Sequence, residues 1–399
     1  MFKRKTWLLN INVEQTWNDF NIMPNVTDEV RNKLVEQQEQ QLLLIADNKD
    51  EVIFRHPPNE DFLNYLQEQI SLPKIVIKSS KYEVYDYLSC TKNLVIPYIL
   101  TEEITQIING DQLIYKDNKM IKNLNNKYFA RKWAIENNFE TTKGRFCNNQ
   151  HEIRKYVLEN FDKGFYSVLK LPYGSSGKGL KVITNEKELN LVVNYLSKRL
   201  KNNKGEILVE RWHEYKYSLS AQLHLSNDEI EILKITQQLI DEKGKYLGTN
   251  FSPKLEQNIY DDYSRKLKVI GNLLSTNGYK GFIGVDSIVD KENKVIPIIE
   301  FNARLTQVTY LLRYVERLES NYTNIFSTFF EIHTNTNLTF EYIKNKISKT
   351  IKKFLIYSFC EINKNDLKIY RVFILVYNNE KQVLNDNIID ELKKIGEVK

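Results

Sequence analysis

Two apolar runs, VLKL at 168–171 and GLKVI at 179–183, flank a segment in which Gly174, Ser175, Ser176, Gly177, Lys178 and Gly179 stand in a row. Glycines at this density let a backbone approach a ligand without Cβ contacts. Successive N–H groups, two hydroxyls and a lysine make a nest for phosphate oxygens. The spacing is not that of a Walker A loop, because Pro172 stands where GxxxxGK[ST] has its first glycine and Gly179 where it has Ser or Thr. A dinucleotide-binding GxGxxG would lead into a helix, whereas GxxGxG here leads into a strand. The kinase loop would need HRD and DFG partners, which the sequence lacks. The pattern predicts a flap between antiparallel strands, with Lys170 on the entering strand. The alternative is a plain Gly/Ser hairpin.

The second chemical cluster is FIGVDSIVDKENKVIPIIEFNAR at 282–304, two apolar runs joined by a polar turn at Asp290–Lys294. Asp286, Glu300 and Asn302 share even parity, so Asp286 lies opposite Ile298 or Glu300 and on the face of Glu300 and Asn302. Opposite or diagonal Cβ atoms are roughly 4.5–8 Å apart. Two carboxylates and an amide oxygen at that spacing repel unless a cation sits between them, and hard oxygen donors suit Mg²⁺. Arg304 continues the parity and could reach a transferred phosphate with its bidentate fork. The alternative is the solvent-facing side of an edge hairpin, but Ile288, Ile296 and Ile298 on that face are apolar.

Other chemistries find no support. The five histidines form no HExxH and pair with no cysteine, and there is no GxSxG. Cys147 in RFCNNQ has no adjacent base, so an idle thiol is expected. The three cysteines lie far apart with no CxxC, which fits a reducing cytoplasm. No run approaches the ~18 apolar residues of a membrane span, and the N-terminus lacks a secretory h-region. Net charge is +6, mixed along the chain, so neither a membrane nor a nucleic-acid partner is expected. The basic run KNKISKTIKK at 344–353 is expected to be a solvated helix face with Ile347 and Ile351 turned inward.

These groups need elements to position them, and 399 residues with 42% apolar content suffice for two or three domains. Up to about residue 120, helical and strand patterns alternate. They are a helix over 27–47 capped by Thr27, a strand at 50–58, a helix at 59–73 and a buried strand at 74–80. That alternation predicts a mostly parallel sheet. A helix over 125–139 carries Lys127 and Arg131 one turn apart. Strands at 166–171 and 179–184, a helix at 185–200, strands at 205–212, 215–226 and 229–240, and a helix at 261–278 closed by Gly278 follow. The stretch 331–399 is expected to hold one basic helix, a strand pair and a terminal helix.

A glycine-rich flap with an upstream lysine, followed about 100 residues later by Asp…Glu-x-Asn, resembles the ATP-grasp superfamily of carboxylate ligases over about 125–310. The resemblance implies an α/β ATP-grasp fold over 125–330, its two halves meeting near LVERW at 208–212. A pre-grasp α/β domain at 1–124 and a small C-terminal domain at 331–399 would flank it. It implies that Arg131 and Lys170 hold ATP phosphates, with Lys127 opening the first motif. Gly174 to Gly179 would cover the triphosphate, and Glu210, Arg211 and Trp212 would border adenine. Asp286, Glu300 and Asn302 would bind two Mg²⁺ ions, with Mn²⁺ as a substitute. Many members carry an acidic ribose ligand about seven positions after Glu210; here that position is Tyr217, with Glu214 nearby. KTWLLNIN, NLVIPYIL and NLNNKYFARKWA look like the smaller group with a pre-grasp domain, which includes pheganomycin-type peptide ligases and the butirosin-type glutamate–acyl-carrier-protein ligase.

The implied activity is ATP-dependent phosphorylation of a carboxylate followed by attack of a nucleophile, with Lys170 and Arg304 neutralising charge during transfer. Three functions are carried forward. The first is an amine ligase for an amino acid or small peptide, the second a ligase loading a carrier-protein thiol, and the third a silent ATP-binding module. A homodimer stays open.

Overall fold

The computed structural model describes residues 4–18, 29–115, 117–174, 179–200, 206–226, 229–241, 244–365, 367–379 and 392. The N-terminal unit runs β1 (Lys5–Leu8), a 3₁₀ turn (Val13–Trp17), α1 (Glu29–Glu36), a 3₁₀ helix (Gln37–Leu44), β2 (Glu51–Phe54), α2 (Glu60–Gln67), β3 (Lys74–Ile77), α3 (Lys81–Cys90), β4 (Leu94–Pro97), α4 (Glu102–Ile107) and α5 (Asn118–Leu124). Its four strands pair in parallel in the order β3-β2-β1-β4, as the alternating pattern predicts. Asn59 caps α2, and Ser80 with Glu83 forms a capping box on α3. The KIVI run, expected to be buried, is instead the edge strand β3, with Lys74 and Ile77 exposed and Ile75 and Val76 half-buried.

The helix expected over 27–47 is a short α1 continued as a 3₁₀ helix; Thr27 lies outside the described residues. A 3₁₀ helix has three residues per turn, so residues three apart stack in rows. In QQEQQ those rows have different tasks. The amides of Gln37 and Gln40 clamp the backbone of Glu361 and Phe359 in both directions. Glu39 accepts the backbone N–H groups of Arg55 and His56, and burial pushes its carboxyl up to about 7 despite those bonds. Gln38 and Gln41 form the third row.

The chain then enters α6 (Lys127–Glu136), capped by Asn126. A small unit follows: β5 (Gly144–Cys147), α7 (Gln150–Phe161), β6 (Ser167–Lys170), β7 (Leu180–Ile183), α8 (Glu186–Leu200) and β8 (Ile207–Arg211). The strands form an antiparallel sheet in the order β5-β8-β6-β7. This lobe has its own apolar core, including Cys147, Ile153, Leu169, Ile183, Leu196 and Val209, separate from the main one. Burial pushes the Cys147 thiol up to about 11, so it stays protonated.

The remaining strands make one antiparallel sheet of eight. They are β9 (Tyr215–Leu225), β10 (Ile230–Ile240), β11 (Tyr246–Asn250), β12 (Gly281–Asp290), β13 (Val295–Asn302), β14 (Asn324–Thr334), β15 (Phe354–Lys364) and β16 (Leu367–Asn378), ordered β13-β12-β9-β10-β11-β14-β16-β15. Helices α9 (Gln257–Thr276), α10 (Gln307–Glu319) and α11 (Phe340–Thr350) connect them. Gly278, just past α9, has φ +93°. The boundary expected at 330/331 falls inside β14, and β15 and β16 extend the same sheet and share its core. Ile347 and Ile351 are buried as expected; of the expected terminal helix only Leu392 lies among the described residues. No described helix is long and apolar enough to cross a membrane.

Gly281 joins this sheet to the N-terminal part of the chain. Its φ is +119°, and a Cβ there would lie 2.2 Å from Cε1 of the buried Tyr115 ring. Gly164 also has positive φ, but its Cβ would meet nothing within 4 Å. Gly281→Ala is therefore expected to lose about 2–5 kcal/mol of unfolding free energy from strain plus overpacking. Gly164→Ala should lose only about 1–2 kcal/mol from backbone conformation. Denaturant titration of both variants tests this, and equal losses would show that the Tyr115 contact is not the constraint.

Candidate active site

A cavity of about 300 Å³ lies where the three units meet. The small lobe contributes Val168, Lys170, Leu180 and Glu210, the large sheet Ser218, Ser220, Gln238 and the β12–β13 hairpin, and the N-terminal unit Leu9, Gln41 and Tyr98. β9 matches the strand expected at 215–226, and both its faces are covered. Leu219, Ala221 and Leu223 pack into the core, while Ser218 and Ser220 are buried along the cavity.

The hairpin register pairs Asp286 directly with Glu300 and Gly284 with Asn302; a bulge separates these pairs from Ile288 opposite Ile296. Asp286, Glu300 and Asn302 therefore converge, and all three line the cavity. The Asn302 amide nitrogen donates to Asp286 Oδ2 at 3.0 Å, which leaves its carbonyl oxygen as an acceptor. Burial and the neighbouring Glu300 charge push the Asp286 carboxyl up to about 7. Burial alone would raise Glu300 too, but the Lys127 charge and hydrogen bond hold it below the usual carboxylate range. Among the described residues no group of three or more His, Cys, Asp and Glu side chains could hold a metal ion. The hairpin's two carboxylates and one amide oxygen fit a hard cation such as Mg²⁺, which takes its other ligands from water and phosphate.

Buried carboxylates hold the cations of the site. Glu210, 3% exposed, receives Lys170 Nζ at 2.6 Å and an Arg131 Nη at 2.5 Å. Arg131 also donates to Thr142 Oγ1 and to the carbonyls of Thr142 and Gly144. It stands behind Glu210 and does not line the cavity, whereas Lys170 does. Lys127 bridges Glu300 Oε2 at 2.7 Å and the Gly174 carbonyl at 2.6 Å. Arg304 lines the cavity with its Nε on Glu14 at 3.2 Å and its guanidinium 5.0 Å from the Tyr98 ring centre; the Tyr98 hydroxyl donates to Glu14.

The sequence placed Glu210, Arg211 and Trp212 together. All three line the cavity, but Glu210 faces the cations, while Trp212 lies against Gly244, where a Cβ would sit 3.0 Å from the indole. The Arg211 guanidinium lies 3.6 Å over the Phe165 ring centre. Neither Tyr217 nor Glu214 lines the cavity: Glu214 pairs with Lys291, and the Tyr217 hydroxyl contacts the Lys254 carbonyl. The polar groups along that stretch are Ser218 and Gln238, hydrogen-bonded to each other at 3.1 Å. β6 and β7 pair antiparallel, as the flap requires, with Gly174 at φ +147° and Gly179 at φ +82° at the loop's ends. Ser175, Ser176, Gly177 and Lys178 lie outside the described residues. Tyr98, Gln41 and Tyr310, which line the cavity, and Glu14, which holds Arg304, were not legible as site residues, because long-range packing alone brings them there.

A lobe with its own core, set against a large antiparallel sheet over a cavity of paired cations and a carboxylate hairpin, defines a nucleotide-dependent ligase. The ATP-grasp domain family matches residues 124–308. The chain is 35% identical over 404 aligned positions to the [Butirosin acyl-carrier protein]--L-glutamate ligase of Niallia circulans, covering 98% of this chain and 94% of the relative. The chain belongs to the ATP-grasp carboxylate ligases. Solved structures share the fold. N5-carboxyaminoimidazole synthetase from Staphylococcus aureus, complexed with ADP, superposes with TM-score 0.59 at 12% identity, covering 98% of this chain and 97% of that one. Biotin carboxylase from Campylobacter jejuni gives 0.55 at 13% identity, covering 87% and 86%.

Glu210 offers a direct test of the charge pairing. Burial would raise its carboxyl, but Lys170 and Arg131 hold it below the ordinary value of 4.5. Because the folded-state value lies below the unfolded one, its contribution is fully present above about pH 4.5 and is lost as pH falls through the folded value. Glu210→Gln, which leaves buried cations without their counter-charge, should cost about 3–5 kcal/mol at pH 7. The gap between parent and variant should narrow as pH falls from 5 towards 3. Denaturant titrations across that range check it, and a pH-independent gap would contradict the pairing.

Proposed function

We propose that the chain uses ATP to activate the carboxylate of an amino acid or small peptide as an acyl phosphate, releasing ADP and then phosphate. The observation that carries this reading is the direct pairing of Asp286 with Glu300, with Asn302 beside them, in the cavity that also holds Lys170 and Arg304. A carboxylate oxygen attacks the γ-phosphorus, and the bond to the β-phosphate oxygen breaks as ADP leaves. The acceptor then attacks the acyl carbon, the C–O bond to phosphate breaks, and the acceptor's proton passes to solvent. Lys170 and Arg304 neutralise phosphate charge, and their carboxylate partners fix where that charge is met. Mg²⁺, as one ion or two and replaceable by Mn²⁺, would be held by Asp286, Glu300 and Asn302 and would screen the phosphates. Arg131 positions Glu210 and thereby Lys170. Gly174 to Gly179 would close over the triphosphate and keep water from the acyl phosphate. A cytoplasmic reaction accords with this reading, since ATP and reduced thiols are supplied there.

Identity to a ligase that acts on an acyl-carrier protein and L-glutamate favours a carrier thiol as acceptor and glutamate as donor. An amine acceptor is the other outcome of the test. The ligand set is intact, which argues against a silent ATP-binding module.

Turnover with ATP, Mg²⁺, amino acids and carrier proteins is expected to yield ADP and phosphate, with mass spectrometry showing an acylated carrier. AMP and pyrophosphate would remove the acyl-phosphate mechanism, and acylated amines with an unmodified carrier would assign the other acceptor. Glu300→Gln keeps the shape but removes a charged ligand. It should lower turnover roughly 10²–10⁴-fold, and near-normal turnover at saturating Mg²⁺ would show that Glu300 is not a metal ligand.

A further inference from the structure

The end of the cavity formed by the N-terminal unit and α10 contains polar groups that the phosphate chemistry does not use. Of the five polar side chains in the 3₁₀ run, Gln37, Gln40 and Glu39 are committed to backbone partners. Gln38 and Gln41 share the remaining row and both line the cavity. Gln41 is only 3% exposed and, unlike Gln37 and Gln40, makes no clamp on the backbone of β15. Tyr310 on α10 lines the same cavity and is also 3% exposed, and its hydroxyl has no hydrogen-bond partner among the described residues. Arg304 borders this recess; Glu14 takes its Nε and the Leu305 carbonyl lies 3.5 Å from Nη1.

Burying the Tyr310 hydroxyl unpaired costs about 1–3 kcal/mol. Such groups persist where a ligand completes them. The recess offers amide oxygens as acceptors and amide N–H and hydroxyl groups as donors. An apolar acid would leave every one of them unmet. The head of an α-amino acid, with an ammonium donor and a carboxylate acceptor, satisfies both kinds.

We propose that Gln38, Gln41 and Tyr310 form a specificity subsite that holds the amino-acid head of the donor substrate, away from the carboxylate being activated. This rests on the ligase reading for its reaction but not for its binding. The N-terminal unit thus selects the substrate, while the grasp lobes supply the phosphoryl chemistry. Sites built to hydrogen-bond a polar group reject analogues lacking it far more strongly than apolar pockets reject an extra methylene.

The test uses the full chain with Gln41→Leu, Tyr310→Phe and Gln37→Leu. Binding of L-glutamate, of its des-amino analogue glutarate and then of other amino acids is measured by calorimetry with Mg·ADP present, separately from turnover. The parent should bind an amino acid at least tenfold more tightly than its des-amino analogue. Gln41→Leu and Tyr310→Phe should each weaken the amino acid at least tenfold, leave ADP binding unchanged, and keep or raise the melting temperature. Gln37→Leu, which loses clamped partners, should lower the melting temperature instead. The inference is overturned if the parent binds no amino acid, if it binds the analogue equally well, or if both cavity variants bind like the parent. It is also overturned if Gln41→Leu melts as low as Gln37→Leu, because Gln41 would then be structural. Amino-acid binding without ADP release would overturn the ligase reading alone.

Discussion

A buried cation is tolerated only when an anion shares its surroundings, and this site holds its cations by that rule. Glu210 holds Lys170 and Arg131, Glu300 holds Lys127, and Glu14 holds Arg304. Without those carboxylates the desolvation cost would be several kcal/mol per ion. Each pair also crosses between elements distant in sequence: Glu14 and Arg304 are 290 positions apart, and Arg131 and Glu210 are 79. The pairs that make the cavity tolerable therefore also fix the three units around it. Phosphate entering such a site meets cations whose positions are already set, so little reorganisation remains for the moment of reaction.

Much of the chemistry was legible because it depends on local periodicity. The period of two along a hairpin put Asp286, Glu300 and Asn302 on one face, and the register agrees. Glycine spacing predicted the antiparallel pairing of β6 and β7 around the loop. The parallel N-terminal sheet followed from its alternating elements. What was not legible depends on partners far along the chain. Arg131 looks like a free phosphate ligand one turn from Lys127, but its donors are taken by Glu210, Thr142 and Gly144. KIVIKSS has the apolar run of a buried strand, yet nothing in its own residues says that no fifth strand will cover its edge. The run at 37–44 gives no local sign that three rows of side chains will be wanted in three directions.

The N-terminal unit is more than an appendage to the grasp lobes. It supplies the partner of Arg304, the ring over which that arginine lies, and the polar row of the 3₁₀ helix. Its core is continuous with that of the eight-stranded sheet, whereas the small lobe keeps a separate one. One side of the cavity is thus built on a shared rigid base. The other belongs to a body whose core would survive a change in its angle.

The amides of Gln37 and Gln40 grip a strand 319 to 324 positions later in the chain. During synthesis, at about 5–20 residues per second, roughly 15–65 s separate the appearance of the two partners. Until β15 leaves the ribosome, the helix that forms one cavity wall is held at the end of β2 through Glu39 but lacks the clamp on its Gln37 and Gln40 row. The nascent chain therefore completes its nucleotide lobe well before it completes the wall opposite. The wall built on Gln37 and Gln40 is thus the last part of the cavity to be locked, after every residue assigned to phosphate has already emerged.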